Sequence, residues 1–319
     1  MAKAKLVKGI NCGDPAVTAI TEVLRQRLDE VCTLRERALD YSDPEGVHDM
    51  RVSSRRLRSA LRDFKPYLQK SRMTRAIKSV RRLADSLGTV RDQDVAIIAL
   101  EKVMVKMSPD LTAGTQALIA ERRGQQKEAQ AELTSFISED NLKRLNTNFT
   151  EALNTLTVPG EAPGKRLKSY KVLGRSIVLN RLKELQSLSS SLYGPHKTLP
   201  LHEMRIAAKR LRYAVELFAP CWEESLGVFA REVAKLQSSL GELHDCDLWM
   251  EYFGARLKRK IKKDAEPIFL QERDAMIWLL GHFTRLRAKH YRAALDRWSE
   301  WERKDFITNL TSAVRSSEQ

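Results

Sequence analysis

The sequence contains few of the residues that interrupt helices. It has 14 glycines and 10 prolines among 319 residues, about 7.5% against an average near 12%. Turns should therefore be few and the elements between them long. No segment has the apolar and polar alternation of a β-strand. We expect an all-α protein.

Other absences exclude further classes of protein. No apolar run, residues 97–100 included, approaches the roughly 18 residues of a membrane span. The lysines near the start are not followed by the apolar stretch of a secretory signal, so we expect a cytoplasmic protein. The four cysteines, at 12, 32, 221 and 246, have none of the spacings of zinc sites or disulfide frameworks, and we expect reduced thiols.

Helix start signals divide the chain into long segments. An Asp-Pro pair at 14–15 predicts a helix that continues to about residue 39, and a second pair at 43–44 predicts one that ends at 64. A third helical segment should run from 71 to Gly88. A further long helix is expected over about 113–137.

Acidic residues are too few to balance the basic ones. Lysine and arginine number 56 against 41 aspartate and glutamate, which gives a net charge of +15. The excess is local, because residues 47–91 contain 13 basic and three acidic side chains. A surface of this kind predicts an acidic partner.

The chain contains an internal repeat. VHDMRVSSRRLRSALRDF (47–64) matches LHEMRIAAKRLRYAVELF (201–218) at 8 of 18 positions, and LADSLGTVRDQD (83–94) matches LQSSLGELHDCD (236–247) at 6 of 12. We therefore expect two similar units, an N-terminal bundle over 1–157 and a C-terminal bundle over 165–319. The breaker-rich VPGEAPG, residues 158–164, is the predicted linker.

Each repeated helix has one basic and one apolar face. At about 100° per residue the basic positions fall within one face and the apolar positions within an adjacent one. Like charges along one helix face repel each other, so a bound anion should offset them. A solvated basic face is the alternative interpretation, but its presence in both copies favours a binding site. The first basic stripe is His48, Arg51, Arg55 and Arg58, and the second basic stripe is His202, Arg205, Lys209 and Arg212.

Further cations occupy related positions in the two copies. The predicted additional site residues are Lys78, Arg82, Arg91, Arg123 and Lys127 in the first copy, and Arg231, Lys235, His244, Arg285 and Lys289 in the second. The aspartates at 92, 94, 245 and 247 are expected to support arginines or to cap a helix turn. Neither stripe histidine has a histidine, cysteine or carboxylate at i+3 or i+4, so we expect no metal site.

These motifs resemble those of the CHAD family, named for histidines on α-helices. The similar blocks are HxMRxxxRRLR at His48, HxMRxxxKRLR at His202, and SLGxxRDxD and SLGxxHDxD further on. The resemblance implies two antiparallel four-helix bundles related by pseudo-two-fold symmetry. It also implies that inorganic polyphosphate binds in a basic groove between them, with the stripe residues at the motif positions, and that the protein associates with polyphosphate granules. One departure is that Arg91 corresponds to His244, where the charge depends on pH.

The chemistry of the stripe residues also favours polyphosphate as the ligand. It is a flexible polyanion without base edges, and closely spaced arginines on rigid helices can donate forked hydrogen bonds to it. A nucleic-acid backbone is the alternative ligand. Single-strand binders interleave aromatic residues with cations, yet aromatics make up 7% of the chain and only Tyr213 lies near a stripe. No catalytic motif is visible, so we expect a non-enzymatic protein without a cofactor or a membrane partner.

Overall fold

The structure is a computed structural model that describes residues 7–68, 70–154, 168–223, 225–260 and 267–316. It is 87% helical, and no strand occurs within these ranges. The all-α prediction is confirmed, while the bundle arrangement and its symmetry stay predictions. The α-helices are α1 (Ala16–Cys32), α2 (Arg35–Leu39), α3 (Pro44–Asp63), α4 (Lys70–Met104), α5 (Pro109–Phe136), α6 (Glu139–Asn154), α7 (Tyr170–Ser187), α8 (Thr198–Phe218), α9 (Gly227–Lys260), α10 (Pro267–Arg303) and α11 (Phe306–Arg315).

The two Asp-Pro signals have different outcomes. At α3 the prediction is confirmed, because the Asp43 side chain caps the helix by accepting a hydrogen bond from the Glu45 N–H at 2.9 Å. The single helix predicted over 14–39 is wrong, since the chain breaks between α1 and α2. There the Thr33 hydroxyl donates to the Glu30 carbonyl at 3.1 Å, and the Leu34 N–H bonds to Val31 instead. A side chain that competes for a backbone carbonyl favours such an end.

Glycine does not end the third predicted segment. Helix α4 continues through Gly88 to Met104, and α9 likewise continues through Gly241. A glycine inside a helix costs about 1 kcal/mol relative to alanine. The propensity of α4 to form a helix therefore does not explain why residue 88 is a glycine.

The chain forms two compact units, and each takes segments from both halves of the sequence. Unit 1 comprises Met1–Val95, Gly124–Val178 and Tyr213–Glu224, and unit 2 comprises Ala96–Arg123, Leu179–Arg212 and Ser225–Gln319. The predicted linker 158–164 lies outside the described residues. The boundary between the bundles 1–157 and 165–319 stays a prediction.

The core of unit 1 lies beneath α3, which packs against α1 and α2. Phe64 follows the last residue of α3, and its ring lies edge-on to that of Phe218, with 6.2 Å between centroids. Tyr170 packs on the other side of Phe218 at 4.8 Å. The aromatic residue that ends each repeated motif is therefore a core residue.

The core of unit 2 lies between α9 and α10, which pack along each other. Phe253 of α9 and Met276 and Leu279 of α10 are fully buried. The Trp249 ring stacks on Phe253 and on Phe283, with centroids 5.3 and 5.1 Å apart. The two helices run antiparallel, because Arg256 near the end of α9 pairs with Glu272 of α10, and Glu232 near the start of α9 pairs with Arg297.

The expectation of four reduced thiols is wrong. Cys12 and Cys221 form a disulfide in unit 1, with their Cα atoms 5.4 Å apart. Cys32 and Cys246 are free. The two bonded residues are 209 positions apart in sequence, so no local spacing could have paired them.

Within the described ranges, none of the helices combines the length and the hydropathy that crossing a membrane requires.

Candidate functional site

The apolar faces predicted for the repeated helices are buried, which fixes the orientation of both helices in their units. Met50 and Leu57 of α3 and Phe64 directly after it are inaccessible to solvent, and the same holds for Met204 and Leu211 of α8. The basic faces adjacent to them are therefore held at a defined angle. This part of the sequence analysis is confirmed.

The first basic stripe brings like charges together in unit 1. Burial and the neighbouring Arg55 lower the pKa of Arg51, and Arg91 from α4 contributes in the same direction. The guanidinium nevertheless stays protonated at neutral pH, since its pKa lies far above neutrality even when it is lowered in this way. Arg51 also forms an ion pair with Asp92, with 3.1 Å from Nη2 to Oδ1. The cluster is thus held by packing, and Asp92 on α4 balances part of its charge.

The SLG motif supplies the surface on which the stripe arginines lie. A β-carbon on Gly88 would be 3.9 Å from Nε of Arg51, and one on Gly241 would be 4.0 Å from Nε of Arg205. In each copy the two repeated motif blocks therefore meet at corresponding positions, Arg51 with Gly88 and Arg205 with Gly241. Both distances are ordinary van der Waals contacts, so an alanine would fit at either glycine, whereas a larger side chain would displace the arginine.

The carboxylates beside the first stripe are exposed. Asp92 is paired with Arg51, and Asp85 with Arg58 at 3.4 Å, and these two aspartate side chains are 70% and 60% accessible. Ion pairs so open to water contribute about 0–1 kcal/mol. They leave the arginine nitrogens available to a stronger anion.

Arg91 anchors the start of α3. Its Nη1 donates to the Pro44 carbonyl at 3.5 Å, and its Nη2 lies 4.0 Å from the Glu45 carboxylate. Burial and the charge of Arg91 lower the pKa of His48. The imidazole is therefore neutral at pH 7 and sits beside a permanent cation.

The second basic stripe places two histidines in contact within unit 2. His202 Nδ1 and His244 Nδ1 are 3.2 Å apart, and the ring centroids are 4.2 Å apart. Burial lowers the pKa of His202, and Arg205 and Lys209 lower it further. Burial, with Arg205, His202 and Lys209, lowers the pKa of His244 to about 4. Both rings are neutral at pH 7.

Arg212 differs from its counterpart in the first stripe. It is 4% exposed, whereas Arg58 is partly exposed. The charge expected at this position of the second stripe is therefore shielded from solvent in its unit.

Arg287 on α10 is a residue that the sequence analysis missed. Its Nε donates to Asp247 at 2.5 Å, and its Nη2 donates to the Pro195 carbonyl, just before α8, at 2.7 Å. In the first copy the aspartate that corresponds to Asp247 is Asp94, which accepts from Gln126 of α5 at 2.7 Å. Asp247 therefore supports an arginine, as expected, whereas Asp94 binds a glutamine instead. Neither caps a turn, because α4 and α9 continue past them.

The remaining predicted cations are exposed on their helices. Arg123 pairs with Glu101 at 2.8 Å, and Lys235 pairs with Glu232 at 2.6 Å. These contacts direct the two side chains to nearby carboxylates rather than to the stripes. The other exposed members of this group are Lys78, Arg82, Lys127, Arg231, Arg285 and Lys289.

One group of potential metal ligands includes a stripe histidine. Ligand atoms of Glu45, His48 and Asp49 lie within 4.8 Å of one another at the start of α3. The sequence analysis considered only positions after the histidine and missed these neighbours at i−3 and i+1. Asp49 accepts a hydrogen bond from Arg37 at 2.8 Å, and Glu45 lies beside Arg91. The two carboxylates of this group are therefore each next to an arginine.

Each copy of the repeat therefore places a basic stripe, on α3 or α8, against the helix that carries the SLG motif, α4 or α9. This arrangement defines the class of protein. A model of the CHAD domain matches residues 22–254. The chain belongs to the CHAD domain family, which is associated with polyphosphate binding in general.

The chain is similar to curated and to solved proteins. It is 26% identical over 206 residues to Uncharacterized protein Rv2226 and to Uncharacterized protein MT2285, both of Mycobacterium tuberculosis. The match covers 63% of this chain and 38% of each relative, so the chain spans well under half of their length.

The solved structures share the fold. The CHAD domain from the plant Ricinus communis has a TM-score of 0.64 at 20% identity, over 91% of this chain and 96% of that one. PptA from Streptomyces chartreusis has a TM-score of 0.65 at 13% identity, over 90% of this chain and all of that one. The suspected family is confirmed.

Proposed function

We propose that this protein binds inorganic polyphosphate, without catalysing its turnover, through the two basic stripes. The observation that supports the proposal is the repeated cluster of like charges. Arg51 lies beside Arg55 and Arg91, and in the other copy Arg205 and Lys209 lie beside two histidines. Bringing cations together costs free energy that a polyanion offsets.

The chemistry of the stripes suits a phosphate polymer. Arginine presents a planar fork of donors to phosphate oxygens, and each charge-assisted hydrogen bond contributes about 1.5–3 kcal/mol. Several such contacts at helical spacing, on helices fixed by a buried apolar face, keep the donors in place before the ligand arrives. A chain with a charge on every phosphate can use all of them.

Nucleic acid is the alternative, and the surroundings of the stripes do not favour it. The aromatic residue nearest a stripe in the sequence, Tyr213, is 9% exposed. A buried ring cannot serve as a stacking platform for bases. Binding to DNA would then use the phosphate backbone alone.

The test is a competition at physiological salt. Long-chain polyphosphate, single-stranded DNA, duplex DNA and heparin are titrated in parallel at equal anion concentration. We expect polyphosphate to bind tightest and its affinity to fall steeply with added salt. If DNA outcompetes polyphosphate, the nucleic-acid alternative replaces this proposal.

A matched pair of variants locates the site. Arg51, Arg55, Arg205 and Lys209 are changed together to alanine, and the control changes Arg25, Lys143, Lys304 and Arg315, which lie outside the stripes and remove the same charge. We expect the first variant to lose binding and the control to retain most of it, with unchanged circular dichroism in both. Equal losses would show a response to net charge only.

Location in the cell follows from the same proposal. A cytoplasmic protein that binds polyphosphate should associate with polyphosphate granules. A fluorescent fusion should colocalise with a polyphosphate stain, and the stripe variant should not.

A further inference from the structure

The two copies differ beside the stripes, at the position where the first has Arg91 and the second has His244. In the first copy Arg91 holds the start of α3 through the Pro44 carbonyl. In the second copy Arg287, from a different helix, donates to the Pro195 carbonyl before α8. The position that corresponds to Arg91 is therefore relieved of this role, and it is occupied by His244.

The contact between the histidines restricts their protonation. With 3.2 Å between Nδ1 of His202 and Nδ1 of His244, one nitrogen must donate and the other must accept. Two imidazolium rings would place two N–H groups against each other. The pair can therefore hold one additional proton, as an imidazolium whose Nδ1–H donates to a neutral ring.

The surroundings of the pair disfavour that proton in the free protein. Two cations of α8, Arg205 and Lys209, act on both rings, and Glu203 opposes them at His202. On α9 the nearby acidic residues are Asp245 and Asp247, and the charge of Asp247 is matched by Arg287 of α10. A phosphate polymer on Arg205 and Lys209 would reverse this balance, since it adds negative charge next to the rings.

We propose that the His202–His244 pair takes up one proton from solvent when the second basic stripe binds a phosphate polyanion. Binding at this stripe is thereby linked to pH, whereas the position beside the first stripe that corresponds to His244 carries the fixed charge of Arg91. The inference rests on the proposed function and adds a regulation to it.

The sign of the pH dependence follows from linkage. The pair is neutral in the free protein at pH 7, because both of its pKa values are lowered, and the bound anion raises them. Affinity therefore increases as the pH falls from about 8 toward 5.5, by up to about tenfold per pH unit for one linked proton. At a pH below the free-state pKa values the dependence disappears, since the free pair is already protonated.

The experiment is titration calorimetry with long-chain polyphosphate at pH 6.5 in buffers of different ionisation enthalpy, which yields the number of protons taken up. His244→Arg places the first-copy residue at this position. We expect the wild type to take up about one proton more than His244→Arg, and the variant to bind with a flatter dependence on pH. The control is His282→Gln, because the ring of His282 stacks on Trp278 rather than on a second histidine, and its proton uptake should equal that of the wild type.

A second measurement does not depend on a variant. Nitrogen-15 spectra of the histidine rings give the pKa values of His202 and His244 without and with saturating polyphosphate. A rise of at least one unit in the pair is expected. Unchanged values, or equal proton uptake by the wild type and His244→Arg, would overturn the inference while polyphosphate binding stands. If the wild type binds no polyphosphate between pH 5.5 and 8, the proposed function itself is wrong.

Discussion

Arg51 lies across Gly88, so that a β-carbon at the glycine would be 3.9 Å from the arginine Nε. The two residues belong to different motif blocks and to different helices, α3 and α4. Their contact places the Arg51 guanidinium against α4 at the glycine of the SLG motif. The same relation between Arg205 and Gly241 in the second copy indicates that the position matters for the site rather than for one helix.

Enlarging Gly88 should separate stability from binding. A distance of 3.9 Å is an ordinary van der Waals contact, so Gly88→Ala should be accommodated and should stabilise α4 by about 0.5–1 kcal/mol. Gly88→Leu should displace Arg51 and weaken polyphosphate binding by roughly tenfold, the value of one charge-assisted hydrogen bond. Calorimetry and thermal unfolding of both variants test this. Equal binding by the alanine and leucine variants would show that the glycine does not position Arg51.

Removing the carboxylate beside Arg51 should tighten binding. Asp92 is exposed, and its ion pair with Arg51 adds little stability. Asp92→Ala removes a negative charge that repels the polyanion, so we expect a several-fold gain in affinity and a change in unfolding free energy below about 1 kcal/mol. The gain should shrink in high salt because screening weakens the repulsion.

The control for this prediction is Glu132→Ala, an exposed carboxylate on α5 with no part in the predicted site. The same gain in both variants would indicate a response to net charge. A loss of affinity in Asp92→Ala would show instead that the aspartate holds Arg51 in its binding position.

The sequence predicted the local features of the site well. The buried residues Met50 and Leu57 follow from helical periodicity, and the Asp43 cap follows from the chemistry of an N-terminus. Both depend on residues within a few positions of each other. The family could be predicted because the motif blocks occur twice, and the all-α class because glycine and proline are few and no segment has a strand pattern.

Features that depend on distant contacts could not be predicted. Arg287 binds Asp247 from another helix, 40 positions away, and nothing in its own neighbourhood distinguishes it from Arg285 or Lys289. The burial of Arg212 results from the packing around α8, whereas its helical-wheel position is equivalent to that of the more exposed Arg58. The groove between two bundles stays a prediction.

Reducing the disulfide should lower stability. Cys12 and Cys221 are separated by 209 residues, and closing a loop of that length stabilises a protein by about 5 kcal/mol in the chain-entropy description. Denaturant unfolding with and without dithiothreitol should show a large part of this difference. In a reducing cytoplasm the protein would have the lower of the two stabilities.

The matched variant is Cys12→Ser combined with Cys221→Ser. Its stability should equal that of the reduced wild type and should not respond to dithiothreitol. Cys32→Ser, which changes a free thiol, should leave the effect of the reductant intact. If the reductant left the unfolding of the wild type unchanged, the Cys12–Cys221 disulfide would not form in the folded protein.

Breaking the Asp247–Arg287 pair should cost more than breaking its counterpart in the first copy. Both partners are about nine-tenths buried at their side chains, at 12% and 13% exposure, so Asp247→Asn leaves a guanidinium with little access to water. We expect a loss of about 3 kcal/mol.

Gln126→Ala removes a neutral donor from Asp94 and should cost about 1 kcal/mol. Asp274→Asn, in the exposed pair with Arg273, should cost less than about 1 kcal/mol. Denaturant unfolding of the three variants measures the order. If Asp247→Asn cost no more than Asp274→Asn, Arg287 would not be the residue that fixes α10 against the start of α8, and the reason for a histidine at 244 would have to lie elsewhere.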